Sequence, residues 1–171
     1  MFYFRYIISF ASFMFLVACS SSPTPPQEKF AKQAISITYV SSQKLNSYNN
    51  QAHTIPLVVY QLNDIDSFDG LKKDKDGIIK LLKAEKYDKS VMSVEKYYVS
   101  PNETKELLLD RAEKTAWVAI VAGYYDMQAS QSTLQYQTPP YNALKLWSSE
   151  ASQKFLTIKL YLDKSSIEQM E

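Results

Sequence analysis

The sequence predicts an all-β, or mainly β, fold: a two-sheet β-sandwich of about seven to eight strands with one short additional helix. Several segments alternate apolar and polar residues with a period of two, and Ser-, Pro- and Asn-containing turns separate them. Residues 116–122 are apolar at every position, which is typical of a central strand covered on both faces. About seven strands with short turns favour a sandwich over a parallel α/β fold.

The amino terminus has the features of a signal peptide. Arg5 supplies one positive charge, and residues 6–17 form an apolar run shorter than the roughly 20 residues of a membrane-spanning helix. Residues 16–19, Leu-Val-Ala-Cys, match the lipobox at which bacterial lipoprotein signal peptides are cut. We therefore expect residues 1–18 to be removed and Cys19 to be acylated. An ordinary cleavable signal with an unrelated cysteine is the alternative.

The rest of the chain divides into a tether and one domain. Cys19 is the only cysteine, so acylation leaves no thiol for a disulfide, a metal site or a nucleophile. Residues 19–33 contain three prolines among polar residues, which predicts a flexible tether, and residues 34–171 suffice for one domain with a core. Loss of Arg5 leaves equal numbers of basic and acidic residues, which gives nucleic-acid binding no electrostatic support.

The strands and the helix follow from the apolar pattern. In residues 34–40, Ile35, Ile37 and Tyr39 alternate with polar residues and predict the first strand. Apolar side chains at helical spacing in residues 78–87 predict the helix, over an end or edge of a sheet. The other predicted strands are residues 56–62, 91–99, 105–109, 116–125, 143–147 and 155–162.

Most catalytic and ligand-binding motifs are absent from the sequence. The single histidine, His53, has neither a cysteine nor a second histidine to work with, and three glycines cannot build a phosphate-cradling loop or a G-x-S-x-G turn. The aspartates of residues 64–76 lack EF-hand register, so turns and a helix cap explain them better than a metal. We expect no enzyme activity, metal, cofactor or small-molecule substrate. A hydrolase with two catalytic carboxylates stays open.

The tyrosines leave a second binding class open. Tyr124, Tyr125, Tyr136 and Tyr141 surround a polar stretch, and tyrosine is favoured at binding surfaces. Packing within a small β protein is the commoner role for any one ring. A carbohydrate- or peptidoglycan-binding lipoprotein is therefore the alternative to a protein-binding one.

Several motifs occur in an informative order along the chain. They are the lipobox cysteine and proline-rich tether, Leu45-Asn46, Pro-Leu-Val-Val-Tyr-Gln-Leu at 56–62, Ser-Pro-Asn-Glu at 100–103, and the hydrophobic strand with its aromatic and aspartate at 117–126. In this order they resemble the TssJ (SciN) family, the outer-membrane lipoproteins of type VI secretion systems. The chain departs from the family in Asn102-Glu103, where Gly-Glu is usual.

The resemblance implies both a location and a partner. It implies a non-catalytic sandwich that faces the periplasm, with its lipid in the inner leaflet of the outer membrane. The residue after Cys19 is Ser20 and not aspartate. By resemblance to enterobacterial lipoproteins, this implies export to the outer membrane rather than retention at the inner one. The implied partner is the periplasmic domain of the inner-membrane protein TssM, within a TssJ–TssL–TssM complex.

The long polar loop between the first two predicted strands, residues 41–54, is the expected contact with TssM. The resemblance implies this, and loops on a rigid sandwich commonly carry binding function. A solvated loop, with its leucine folded back onto the domain, is the alternative. The candidate partner-binding residues are Leu45, Asn46, Tyr48, Asn49 and Asn50.

Overall fold

The computed structural model describes residues 29–127, 129–139 and 155–171. The predicted signal peptide, Cys19, Tyr141 and the predicted strand 143–147 lie outside the described residues. The strands and helices, in chain order, are β1 (Ala31–Ser41), β2 (Ile55–Leu62), α1 (Asp66–Leu71), α2 (Lys75–Leu81), β3 (Val91–Val99), β4 (Thr104–Arg111), β5 (Trp117–Ala122), α3 (Ala129–Ser132), β6 (Thr133–Gln137), β7 (Leu156–Leu162) and β8 (Ile167–Gln169).

The strands form two sheets of four. Sheet I has the order β4-β1-β7-β8 and sheet II the order β3-β2-β5-β6. Strands β1 and β7 are parallel, and the other neighbouring strands within each sheet are antiparallel. This arrangement confirms the predicted two-sheet sandwich.

Strands β2 and β5 are buried on both faces. Their residues Leu57, Val59 and Ile120 face the main core between the two sheets. Alternate residues, including Val58 and Val121, face a second apolar cluster beneath the helices. Because successive strand residues point to opposite faces, an entirely apolar strand needs a cover on each side. The predicted central position of residues 116–122 agrees with this placement.

The helical addition differs from the prediction. One helix over residues 78–87 was expected, and α2 (Lys75–Leu81) overlaps only its first half. Helix α1 was not predicted, and it lies in the aspartate-rich stretch for which turns and a helix cap were expected. Helix α2 begins earlier because the Asp74 side chain accepts a hydrogen bond from the Gly77 N–H at 2.8 Å, which is an N-cap. It ends at Leu81, and Ala84 then takes a left-handed φ of 59° that no α-helix can continue through. No helix in the described part of the chain is long and apolar enough to cross a membrane.

Sheet II and the helices are joined by specific contacts. The Tyr60 hydroxyl donates to the Leu81 carbonyl at 2.6 Å, and so binds the last turn of α2 to β2. The Tyr60 ring also lies 5.5 Å from the Tyr87 ring and 6.3 Å from the Phe68 ring. Tyr87 thus reaches the second cluster from the connection between α2 and β3 rather than from the predicted helix.

Two strands had not been predicted, β6 and β8. Strand β6 pairs with β5, and the three-residue β8 pairs with β7. Both lie at sheet edges, where one side of the backbone is unpaired and short strands are common. Each is short: β6 has five residues with only Leu134 and Tyr136 apolar, and β8 has three, so the sequence gave little signal for either strand.

The sandwich has two distinct ends. At the amino end β1 begins, close to the turn of residues 112–116 between β4 and β5. At the loop end β1 stops beside the end of β7. The loop end is formed by residues 42–54, the turn 100–103, the segment 123–127 and the turn 163–166.

A close approach between α1 and α2 gives a stability prediction. A Cβ on Gly77 would lie 1.8 Å from the Leu71 carbonyl oxygen, whereas a Cβ on Gly70 would meet nothing within 4 Å. We expect Gly77→Ala to lower the free energy of unfolding by about 1–3 kcal/mol through overpacking. We expect Gly70→Ala to be neutral or stabilising by about 1 kcal/mol through helix propensity.

The test is urea unfolding of both variants, followed by circular dichroism. Equal midpoints for Gly77→Ala and Gly70→Ala would contradict the close packing of the two helices.

Candidate functional site

The loop between β1 and β2 is folded by its own hydrogen bonds. The Tyr48 and Gln51 backbones exchange hydrogen bonds of 3.1 and 3.0 Å, which closes a tight turn. The two residues between them, Asn49 and Asn50, are exposed and have φ values of 51° and 59°. Asparagine tolerates this left-handed conformation better than most residues, so the polar sequence suits the turn.

Leu45 fixes the base of the loop. Its side chain is fully buried and belongs to the main core, and its carbonyl accepts the His53 N–H at 3.0 Å. A leucine removed from water in this way holds the loop on the sandwich through apolar burial. Leu45 was predicted from the sequence as a partner contact. In the structure its side chain is an anchor of the loop and is not exposed to solvent.

Asn46 joins the loop to the segment after β5. Its Oδ1 accepts a hydrogen bond of 2.7 Å from the Tyr125 N–H, and its carbonyl oxygen lies 3.3 Å from His53 Nδ1. The residue is 8% exposed and has a φ of 47°. Asn46 thus acts as a brace between two loops that are almost 80 residues apart in sequence.

Three aromatic rings stack across this joint. The Tyr48 ring lies 3.7 Å from the His53 ring at 8° and 4.4 Å from the Tyr125 ring at 21°. Tyr48 is the middle ring, and Tyr125, at one end of the stack, is 69% exposed. The stack therefore presents a broad aromatic surface at the loop end.

Tyr124 fixes the segment 123–127 from below. It is buried, and its hydroxyl donates to the Ser166 carbonyl at 2.5 Å. Burial raises the pKa of Tyr124 well above its ordinary value, and the charges of Asp163 and Glu168 raise it further. The phenol therefore stays a neutral donor at physiological pH and ties the segment to the turn 163–166.

Glu103 fastens the neighbouring turn. Its carboxylate accepts from the Tyr39 hydroxyl at 3.0 Å and from the Ser100 N–H at 2.8 Å, and its N–H donates to Ser41 Oγ at 2.7 Å. Burial raises the pKa of Tyr39, and the Glu103 hydrogen bond and charge raise it further. The Asn102 N–H in the same turn donates to the Ser42 carbonyl at 3.2 Å. The turn 100–103 and the loop 42–54 therefore hold each other in place.

A polar cleft of about 630 Å³ opens between these segments. Its walls come from the loop 42–54, the first residue of α2, the segment after β5 and the turn between β7 and β8. It is lined by Asn46, Ser47, Tyr48, Lys75, Tyr125, Asp126, Lys164 and Ser165.

The structure brings together only some of the residues that the sequence predicted for binding. Tyr48 is half-buried, Asn49 and Asn50 are exposed, and Tyr136 is half-buried beside the main core. Lys75 and Lys164 were missed, because nothing in the sequence near either residue marks it as a neighbour of the loop. In residues 29–127, 129–139 and 155–171 no group of three or more His, Cys, Asp or Glu side chains is arranged to hold a metal ion.

The sequence matches one family model. The model is that of T6SS-SciN, described as type VI secretion lipoprotein, VasD, EvfM, TssJ, VC_A0113, and it covers residues 33–161. No curated protein matches the chain significantly.

Solved structures share the fold. Serratia marcescens Lip, a membrane-bound component of the type VI secretion system, superposes with a TM-score of 0.66 at 16% identity, over 80% of this chain and 96% of that one. The lipoprotein TssJ1 of Pseudomonas aeruginosa gives 0.61 at 15%, over 84% and 95%. A structure described as the TssM C-terminal domain (869–1107) from EAEC gives 0.59 at 9%, over 84% and 98%. At these identities the likeness establishes the fold.

The Asn46 brace gives the second prediction. Asn46→Ala removes the acceptor of the Tyr125 N–H and places alanine at a positive φ. Asn50→Ala is the matched control, because it meets the same backbone strain in an exposed residue. We expect Asn46→Ala to cost about 1 kcal/mol more unfolding free energy than Asn50→Ala, which is the net contribution of one hydrogen bond to a partly buried donor.

Denaturant unfolding of the two variants measures this difference. Equal losses would show that the Asn46 side chain does not hold the two loops together.

Proposed function

Since the chain belongs to the type VI secretion lipoprotein family of VasD, EvfM and TssJ, we propose that it is the outer-membrane-anchored subunit of a type VI secretion membrane complex. In this role its periplasmic sandwich holds the periplasmic domain of TssM, and so fixes the trans-envelope TssJ–TssL–TssM complex to the outer membrane. The contact is made by the loop end. The protein acts by binding, without catalysis or a cofactor.

The observation that carries this proposal is that the tether and the ordered loops lie at opposite ends of the sandwich. The tether joins the domain where β1 begins, and the ordered loops lie where β1 ends. Strand β1 has eleven residues, which at about 3.3 Å per residue gives roughly 35 Å between the two ends. A domain tethered at its amino end can therefore present its loops away from the bilayer, toward a partner that crosses the periplasm.

The proposed anchor is a lipid on Cys19. About twelve residues then separate the lipid from β1, and a flexible segment of that length spans roughly 20 Å on average. Several acyl chains on one cysteine give stable membrane attachment, because each buried methylene contributes about 0.8 kcal/mol. The tether thus leaves the domain free to turn while it stays at the membrane.

The loop end has the properties of a protein-binding surface. Tyrosine is enriched in the binding hot spots of interfaces, and Tyr48 and Tyr125 lie here beside the exposed Asn49 and Asn50. Hydrogen bonds and apolar burial already order the loop, so little conformational entropy is lost on binding.

A carbohydrate- or peptidoglycan-binding role is the second candidate. The exposed ring of Tyr125 beside a polar cleft favours it, because aromatic faces pack against the apolar faces of sugars. Sedimentation of the protein with purified sacculi separates the two candidates: a sugar-binding protein pellets with them, and a protein-binding one stays in solution.

Acylation is tested by substitution of Cys19. We expect Cys19→Ala to abolish incorporation of labelled palmitate and to remove the protein from the outer-membrane fraction, because no other residue can take the lipid. Ser20→Asp is the matched control and should keep the palmitate. Labelling in cells and membrane fractionation measure both outcomes, and palmitate on Cys19→Ala would contradict the proposed anchor.

The loop contact is tested at its tip. The paired change Asn49→Gly and Asn50→Gly removes two exposed side chains while glycine still accepts the positive φ values. We expect the affinity for TssM to fall about tenfold, the loss of one moderate contact. The free energy of unfolding should change by no more than about 0.5 kcal/mol, as for other surface changes.

Lys114→Gly is the control for the loop tip. This residue is also exposed and has a φ of 68°, but it lies at the amino end. Its TssM affinity, measured by biolayer interferometry with the acylated protein, should equal that of the unaltered protein. A tip variant with unchanged affinity would place the contact elsewhere.

A further inference from the structure

The loop-end cleft has a chemical character that the polar loop alone does not have. Its two basic residues, Lys75 of α2 and Lys164 of the turn between β7 and β8, come from different segments and are exposed. Among the described residues neither ammonium group makes an ion pair, and the one salt bridge found is between Lys72 and Asp69. Asp126 is the single acidic side chain in the lining. The cleft therefore has two available cations and a net positive charge.

The acidic residues next to these lysines are partly engaged elsewhere. The Asp74 carboxylate, beside Lys75, caps helix α2 through the Gly77 N–H. The Glu168 carboxylate, close to the turn of Lys164, accepts the Ser166 hydroxyl at 2.9 Å. Asp76 and Asp163 flank the two lysines in sequence but do not line the cleft. The lining itself thus favours an anionic group.

The cleft also has a fixed aromatic wall. Tyr125 packs one face of its ring on Tyr48, and its 69% exposure leaves the rest of the ring open. The Asn46 hydrogen bond to the Tyr125 N–H and the Tyr124 hydrogen bond to the Ser166 carbonyl hold the backbone beneath it. A ring that is already immobilised loses little entropy when a partner covers it.

We propose that this cleft is the recognition pocket for an acidic segment of the protein partner, whose carboxylate lies between Lys75 and Lys164 and whose neighbouring side chain covers Tyr125. The proposal rests on the proposed function and adds the chemistry of the partner to it. A carboxylate suits the site because each ammonium group offers three donors, and a partly enclosed pair interacts more strongly than one in bulk water. Tyr125 supplies the apolar contact that excludes water from the pair.

A charge series on the two lysines tests the proposal. The affinity of detergent-purified TssM for the acylated protein is measured for the double variants Lys75→Arg/Lys164→Arg, Lys75→Gln/Lys164→Gln and Lys75→Glu/Lys164→Glu. We expect the arginine pair to bind within about threefold of the unaltered protein, the glutamine pair about tenfold more weakly, and the glutamate pair about 100-fold more weakly. The salt dependence of binding should flatten in the glutamine pair.

The control for the charge series is the pair Lys32→Glu and Lys114→Glu. Both residues are exposed and lie at the amino end, so the same change in net charge is made far from the cleft. We expect a less than twofold change in affinity for this pair. A loss as large as that of the cleft pair would show a general effect of net charge and would overturn the proposal.

The aromatic wall is tested separately. We expect Tyr125→Ala to weaken TssM binding about 30-fold, the loss that defines a hot-spot residue. The matched control is Phe155→Ala, an exposed aromatic at the amino end with 61% exposure, which should leave the affinity unchanged. Equal affinities for Tyr125→Ala and the unaltered protein would overturn the assignment of this wall.

The outcomes separate this inference from the function on which it rests. Equal losses in the glutamine and glutamate pairs would indicate a contact insensitive to charge, which overturns the acidic segment and leaves TssM binding in place. Failure of the unaltered protein to bind TssM would overturn the proposed function, and this inference with it.

Discussion

The structure depends on the burial of strands β2 and β5 on both faces. One face packs against sheet I, and the other packs against the residues beneath α1 and α2. Because these two strands carry almost no polar side chains, exposing either face would return a large apolar area to water at about 25 cal/mol per Å². Strands β2 and β5 therefore need both sheet I and the helical cover to be buried. The buried Gln61 amide of β2 donates to the Asp110 carbonyl and accepts from the Ala112 N–H and the Thr115 hydroxyl.

The buried strands determine the positions of the polar loops. The central strands stop at the loop end, and the segments that leave them are tied to one another by side chains that reach back toward the core. Leu45 enters the main core, Tyr124 is buried beneath its segment, and Glu103 binds the end of β1 through Tyr39 and Ser41. A polar loop of thirteen residues thus behaves as part of the sandwich surface. Binding geometry can then be precise although most of the side chains involved are polar or aromatic and half exposed.

The sequence was sufficient for features that depend on local periodicity and failed for those that depend on distant contacts. Alternation in residues 34–40 and the unbroken apolar run at 116–122 predicted strands that the structure confirms. Of the two helices only α2 was predicted, and the stretch that contains α1 was interpreted as turns and a helix cap. The packing of α1 on α2 depends on the approach of Gly77 to Leu71, which is a tertiary contact. The loop was identified as a candidate site, yet its leucine belongs to the core. Lys75 and Lys164 could not be connected with the loop, because only the fold brings the two into one cleft.

The arrangement of anchor and loop end has an energetic consequence under the proposed function. A lipid confines the domain to the membrane surface, so a partner that reaches the same surface meets it at a high local concentration. Short flexible linkers give effective concentrations in the millimolar range. A site with only modest affinity in free solution is then almost fully occupied. Under these conditions the cleft of about 630 Å³, with one aromatic wall and two lysines, can hold its partner with a lower affinity than that of an enzyme–inhibitor complex. Stable anchoring follows instead from the combination of a lipid that does not leave the bilayer and an ordered site that binds its partner with little loss of entropy.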